Sequence, residues 1–108
     1  MSGVFELDHL LAKRLRAEKF YLEFLRVPAI SSGIYVLPAG AVDPQTPHTE
    51  DEIYYVISGK ANVRIGSEIR SVAEGSVIFV EAGVDHRFFE IEQELVLLVV
   101  FGPAESNA

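Results

Sequence analysis

Apolar residues first recur at helical spacing. Leu7, Leu11 and Leu15 stand four apart, Leu10 widens the stripe, and Lys13, Arg14, Arg16 and Glu18 fill the opposite face. The pattern predicts a short helix over about 7–19, with Asp8 as its N-cap and His9 a solvated residue of the first turn. After Phe20 the period changes. The runs YLEFLRV, GIYVLPA, EIYYVIS, ANVRI, SVIFV, HRFFEI and LVLLVVF follow one another, punctuated by glycines at 33, 40, 59, 66, 75, 83 and 102. Such short, evenly spaced runs predict hairpin-connected strands of an all-β sandwich or barrel. No repeat, linker or low-complexity tract interrupts them. The expectation is one domain over 1–108, with a β-barrel over about 20–102 behind the helix.

Several of these strands are apolar on both faces. Alternation in EIYYVIS puts Glu52, Tyr54 and Val56 on one side and Ile53, Tyr55 and Ile57 on the other. LVLLVVF, Leu95 to Phe101, has no polar residue at all. A barrel interior can bury only one face of a strand. The other must meet the helix, a further strand or a partner subunit, because left open it would invite aggregation. One short helix does not cover every such strand, so the pattern predicts a homodimer packed sheet to sheet.

Composition narrows the partners. Nine basic against sixteen acidic residues give a net charge of −7, which repels nucleic acid and anionic membrane surfaces. With 49% hydrophobic residues the chain has the means to build a core. It has no cysteine, so disulfides and thiolate metal sites are excluded. No apolar run approaches the ~20 residues of a membrane helix, and MSGVFELDHLL lacks the pattern of a secretory signal. A cytoplasmic protein is the expectation.

One stretch departs from this pattern. In QTPHTEDEIYYVISG three consecutive acids, Glu50, Asp51 and Glu52, lead into a strand that should be buried. His48 precedes Glu52 by four residues, and His86 opens a later strand. Two histidines and a carboxylate with positions left open suit Fe, Mn, Zn or Ni. The same residues also read as a satisfied buried histidine and a solvated acid pair, and spacing alone leaves both readings open.

GAVDPQTPHTEDEIYYVISG and GSVIFVEAGVDHRFFE resemble the two motifs of the cupin superfamily, G-x5-H-x-H-x3,4-E-x6-G and G-x5-P-x-G-x2-H-x3-N. Gly40, His48, Glu52 and Gly59 fall in the register of the first, and Gly75, Gly83 and His86 in that of the second. The short segment Lys60 to Glu74 between them fits a small single-domain member of the conserved-barrel type. The resemblance implies an antiparallel double-sheet jelly-roll barrel with a divalent metal on His48, Glu52 and His86. Thr46 stands where a further ligand histidine is usual, and the amide oxygen of the adjacent Gln45 can substitute. Glu81 replaces a proline. Glu90 replaces an asparagine and, if it follows His86 and Phe88 inward, puts a second acid beneath the site.

By this reading Glu50 and Asp51 form the solvated rim, and Glu52 points inward at the cation. Tyr54 and Phe88 line a substrate pocket, and Tyr54 is the one candidate for a catalytic role beyond the ligands. The resemblance implies a small-molecule ligand or substrate without fixing the reaction. Dioxygenases, isomerases, decarboxylases and lyases share the fold with non-catalytic binders. A sensor module and a metal-free dimeric barrel are the alternatives to an enzyme.

Overall fold

The computed structural model describes residues 2–106. Helix α1 (Leu7–Ala17) is followed by six strands: β1 (Tyr21–Val27), β2 (Ile30–Leu37), β3 (Asp51–Ile65), β4 (Glu68–Ala73), β5 (Val77–Val80) and β6 (His86–Gly102). All the pairings are antiparallel, in the order β1-β2-β6-β3-β4, with β5 on the first part of β3. This is the expected double-sheet jelly roll with a short N-terminal helix.

The sequence runs expected as separate strands join in two places. EIYYVIS and ANVRI form the single 15-residue β3, and HRFFEI and LVLLVVF the 17-residue β6. Both long strands bend where their shared ladder shifts register, between Val56 and Asn62. Gly59 makes the bend possible. Its φ is +104°, and a Cβ there would overlap the Glu94 carbonyl oxygen and come within 2.7 Å of Leu95 Cα. No other residue combines that backbone angle with so close an approach. The strand β4 was absent from the apolar pattern because Val72 is its only buried residue.

Bending each long strand lets it serve both layers. The first half of β3 pairs with β5 and the end of β6, and the second half with β4 and the start of β6. His86 therefore pairs with Ile65, at the opposite end of β3 from Glu52. Only the curl of the sheet brings the two side chains together.

Two apolar clusters result. Tyr54, Val56, Val63, Phe88, Leu95, Leu97 and Val99 belong to the barrel interior. Ile34, Val36 and Val96 face outward and are covered by Leu7, Leu10 and Leu11 of α1. The helix differs from expectation at both ends. Its N-cap is Glu6, with no side-chain hydrogen bond, and Asp8 lies in the first turn. Its last turn closes at Glu18, which takes a left-handed conformation, and Leu15, expected on the apolar stripe, is exposed. The outer face of β3 and β5 carries Ile53, Tyr55, Val77 and Phe79, all exposed.

Candidate metal centre

The segment between β2 and β3 has no regular structure, and Asp43 holds it in place. This buried carboxylate accepts four hydrogen bonds: from the Tyr35 hydroxyl (2.6 Å), the Phe88 N–H (3.0 Å), the Gln45 N–H (3.2 Å) and the Gln45 side-chain amide (2.8 Å). A carboxylate can only accept, so the Gln45 NH2 group must face Asp43 and its Oε1 the other way. Oε1 accepts from the Tyr54 hydroxyl at 2.6 Å and lies 3.4 Å from His48 Nε2. Thr46, at the motif position of the missing histidine, is exposed. The inward place belongs to Gln45, because strand alternation does not govern an irregular segment.

His48, Glu52 and His86 converge. Each offers one ligand atom, and these atoms lie within 4.8 Å of one another. Both imidazoles are oriented from outside the cluster. His86 Nδ1 lies 2.9 Å from the Val84 carbonyl and His48 Nδ1 3.1 Å from the Glu105 carboxylate. Neither acceptor has a proton to give, so both Nδ1 atoms carry the hydrogen. In the neutral rings both Nε2 atoms then present lone pairs, that of His86 also lying 3.1 Å from the Tyr54 hydroxyl, the arrangement in which outer partners prepare histidines for a metal.

Glu52 is 1% exposed, and neither of its oxygens has an assigned hydrogen-bond partner among the described residues. Oε1 sits 3.0 Å from His86 Nε2. With His86 neutral, two lone pairs would face each other there in a site closed to water. Either a proton or a cation must lie between them. Without a metal the proton does so. Burial alone would lower the His86 pKa, but the Glu52 carboxylate and the Val84 carbonyl outweigh it and raise it. His48 is raised chiefly by its hydrogen bond to Glu105, against burial. Burial, then the nearby Glu52 charge, hold the Tyr54 phenol well above its ordinary value. The donor set thus fits a divalent cation.

Glu105 follows β6 and was not legible as part of the site. Its position depends on a docked C-terminal segment. Its N–H donates to Ser31 Oγ (2.8 Å), and its carbonyl accepts from Arg26 (2.6 Å). Ser106 donates to Glu50 through its N–H (3.3 Å) and its hydroxyl (3.0 Å). Glu50 is consequently buried rather than part of the solvated rim. Burial would raise its pKa, but hydrogen bonds from Thr49 and Ser106 more than offset this and lower it. Asp51 does stay at the exposed rim, accepting the Ala82 N–H at 2.9 Å. Asp43 was missed for the same reason as Glu105, since two of its four donors come from β2 and β6.

A cavity of about 240 Å³ opens beside the cluster, lined by Gln45, His48, Glu52, Tyr54 and Glu105 and by the apolar surfaces of Phe20, Tyr21, Tyr35, Pro44, Val99 and Phe101. Tyr54 is part of this lining. Phe88 is not. It packs edge-on beneath Tyr54, ring centroids 5.0 Å apart, and supports the wall from below. Glu90 is exposed and adds no second acid to the site. It has φ +48° and only a 3.3 Å contact from Asn62.

Comparisons with known proteins agree with this fold. The family model described as Cupin domain matches residues 33–101. An uncharacterised protein of Streptomyces coelicolor is 49% identical over 102 residues, covering 94% of this chain and 97% of its own length. The structure of TT1209 from Thermus thermophilus superposes with a TM-score of 0.75 at 26% identity, over 95% of this chain and 99% of that one. The Cnp3 cupin domain of Schizosaccharomyces pombe superposes with a TM-score of 0.70 at 17% identity, over 77% of this chain and 63% of that one. The chain thus spans less than two thirds of that solved domain, and at this identity the likeness concerns the fold alone.

Proposed function

This chain belongs to the cupin family, and from that premise we propose that it binds a divalent metal through His48, Glu52 and His86 and holds a small organic molecule beside it. Glu52 carries the argument. An uncompensated buried carboxylate costs several kcal/mol (of order 5), and among the described residues neither Glu52 oxygen has a hydrogen-bond partner unless His86 Nε2, 3.0 Å from Oε1, carries a proton. Gln45 Oε1, fixed by Asp43, is the fourth donor, so the set is two imidazole nitrogens and two oxygens. That mixture suits Fe, Mn, Zn or Ni. When bound, such an ion supplies Lewis acidity to an oxygen of the ligand.

The chain's own groups do the rest. Val84 and Glu105 fix the two imidazole rings, Asp43 fixes Gln45, and the Tyr54 hydroxyl donates to Gln45. Elemental analysis of purified protein tests the assignment, with about one metal per chain expected in the wild type and loss of it in His48→Ala and in His86→Ala. Full metal content in both variants would remove the basis for it.

A second reading, ligand binding without turnover, rests on the same wall. Apart from the proposed ligands, Tyr54 is the group placed for proton transfer at the cluster, and its raised pKa makes it a poor base. A substrate screen that yields no product, alongside ligands that raise the melting temperature, favours this sensor role. The proposal also includes a homodimer. Val100, Ile53 and Phe79 lie side by side across β6, β3 and β5, as do Leu98, Tyr55 and Val77. This outward apolar patch suits a second copy of the same sheet.

A further inference from the structure

Tyr21 opens β1, and its ring stands in the cavity wall with centroids 6.0 Å from Tyr35 and 6.5 Å from Phe101. Its hydroxyl is buried and has no hydrogen-bond partner among the described residues. The tip of the ring lies over Gly33 of β2, where an added Cβ would overlap both the ring and the hydroxyl. The barrel thus omits a side chain at the place this phenol occupies. A buried hydroxyl without a partner is unfavourable unless something that enters the cavity completes it.

The rest of the wall restricts what can enter. Its ionisable side chains other than His48 and the three tyrosines, Tyr21, Tyr35 and Tyr54, are acids, Glu52 and Glu105, and it has no lysine or arginine. An anionic ligand finds no counter-charge there apart from a bound ion. The divalent ion of the proposed centre offsets the two carboxylates and leaves no net charge to attract a cation. Phe20, Tyr35 and Phe101 offer flat apolar faces, and the volume is below that of a drug-sized pocket. Burial, followed by the charges of Glu105, Glu23 and Glu52, keeps the Tyr21 phenol protonated and able to donate.

We infer that Tyr21 is a ligand-recognising residue, and that its hydroxyl donates to a small, uncharged, planar molecule bearing oxygen at both ends. One oxygen meets Tyr21, and the other faces the His48, Glu52 and His86 cluster. The inference rests on the proposed metal centre for the second oxygen and for the exclusion of a cationic ligand, but not for the role of Tyr21. Maltol, a neutral planar hydroxypyranone, is a suitable probe, with benzoate and benzylammonium as charged controls.

Calorimetric titration of each probe into Mn(II)-loaded and metal-free protein tests this, with Mn(II) affinity followed in parallel by electron paramagnetic resonance. Maltol is expected to bind more tightly than either charged probe. Tyr21→Phe should weaken it about five- to tenfold, the value of one neutral hydrogen bond, with Mn(II) affinity unchanged. Gly33→Ala, which displaces the phenol, should weaken it similarly. Undiminished maltol binding by Tyr21→Phe would overturn the inference, as would tighter binding of a charged probe or no maltol binding to either form. If Mn(II) fails to bind while maltol still depends on Tyr21 in metal-free protein, the metal reading falls and the role of Tyr21 stands.

Discussion

At the scale of single residues, the two histidines of the cluster are prepared by different means. His86 is held by the carbonyl of Val84, two residues earlier in the chain, whereas His48 is held by Glu105, 57 positions later. A backbone acceptor is not removed by substitution, but the carboxylate can be. Glu105→Ala is expected to weaken metal binding about 10- to 100-fold, the usual cost of losing an outer partner of a ligand histidine. Glu105→Gln, which keeps an acceptor oxygen, should recover part of it, as competitive chelator titration would show. Glu90 offers a separate test. Its left-handed backbone disfavours a glutamate and suits asparagine, the residue usual at this motif position. Glu90→Asn should stabilise the fold by up to about 1 kcal/mol in urea denaturation, by relieving that strain.

Among the elements, β3 and β6 decide the architecture. Each is long enough to belong to both layers, and their bend at Gly59 turns one ladder into a barrel wall. The cost is a strand with two apolar faces. The helix covers the outer face of β2 and part of β6, but Ile53, Tyr55, Val77 and Phe79 remain open. If this face is the dimer interface, Phe79→Lys should shift the protein from dimer to monomer in light scattering. The metal content should stay unchanged, because Phe79 points away from the interior. A wild-type protein that is monomeric at high concentration would remove the dimer from the proposal.

For the molecule as a whole, the buried charges make stability depend on pH. The pKa values of His48 and His86 are raised in the folded state, by Glu105 for the first and by Glu52 and Val84 against burial for the second. A group with a raised folded pKa contributes stability that is complete below its unfolded value, about 6.5 for histidine. That contribution is lost as pH rises through the folded value. Metal-free protein is therefore expected to lose stability as pH rises above about 6.5. Glu50 works in the other direction. Hydrogen bonds from Thr49 and Ser106 overcome burial and lower its pKa, so its contribution is lost as pH falls through the folded value. A metal needs the imidazoles unprotonated, so its affinity rises across the range where the metal-free protein weakens. Urea midpoints at several pH values, with chelator and with saturating Mn(II), would show the two curves diverging as pH rises.

The sequence by itself determined what depends on near neighbours. Alternation put Glu52, Tyr54 and Val56 on one face of a strand, the four-residue repeat of leucines marked the helix, and the two motifs placed His48, Glu52 and His86 in register. Those signals are local, because a strand's side chains alternate and a helix repeats whatever lies beyond it. Tertiary structure decided the rest. It turned Gln45 rather than Thr46 inward through Asp43, buried Glu50 against Ser106, brought Glu105 to His48 and seated Tyr21 over Gly33. Each of these depends on an irregular segment or on a partner from another element, where no period in the chain fixes which way a side chain points.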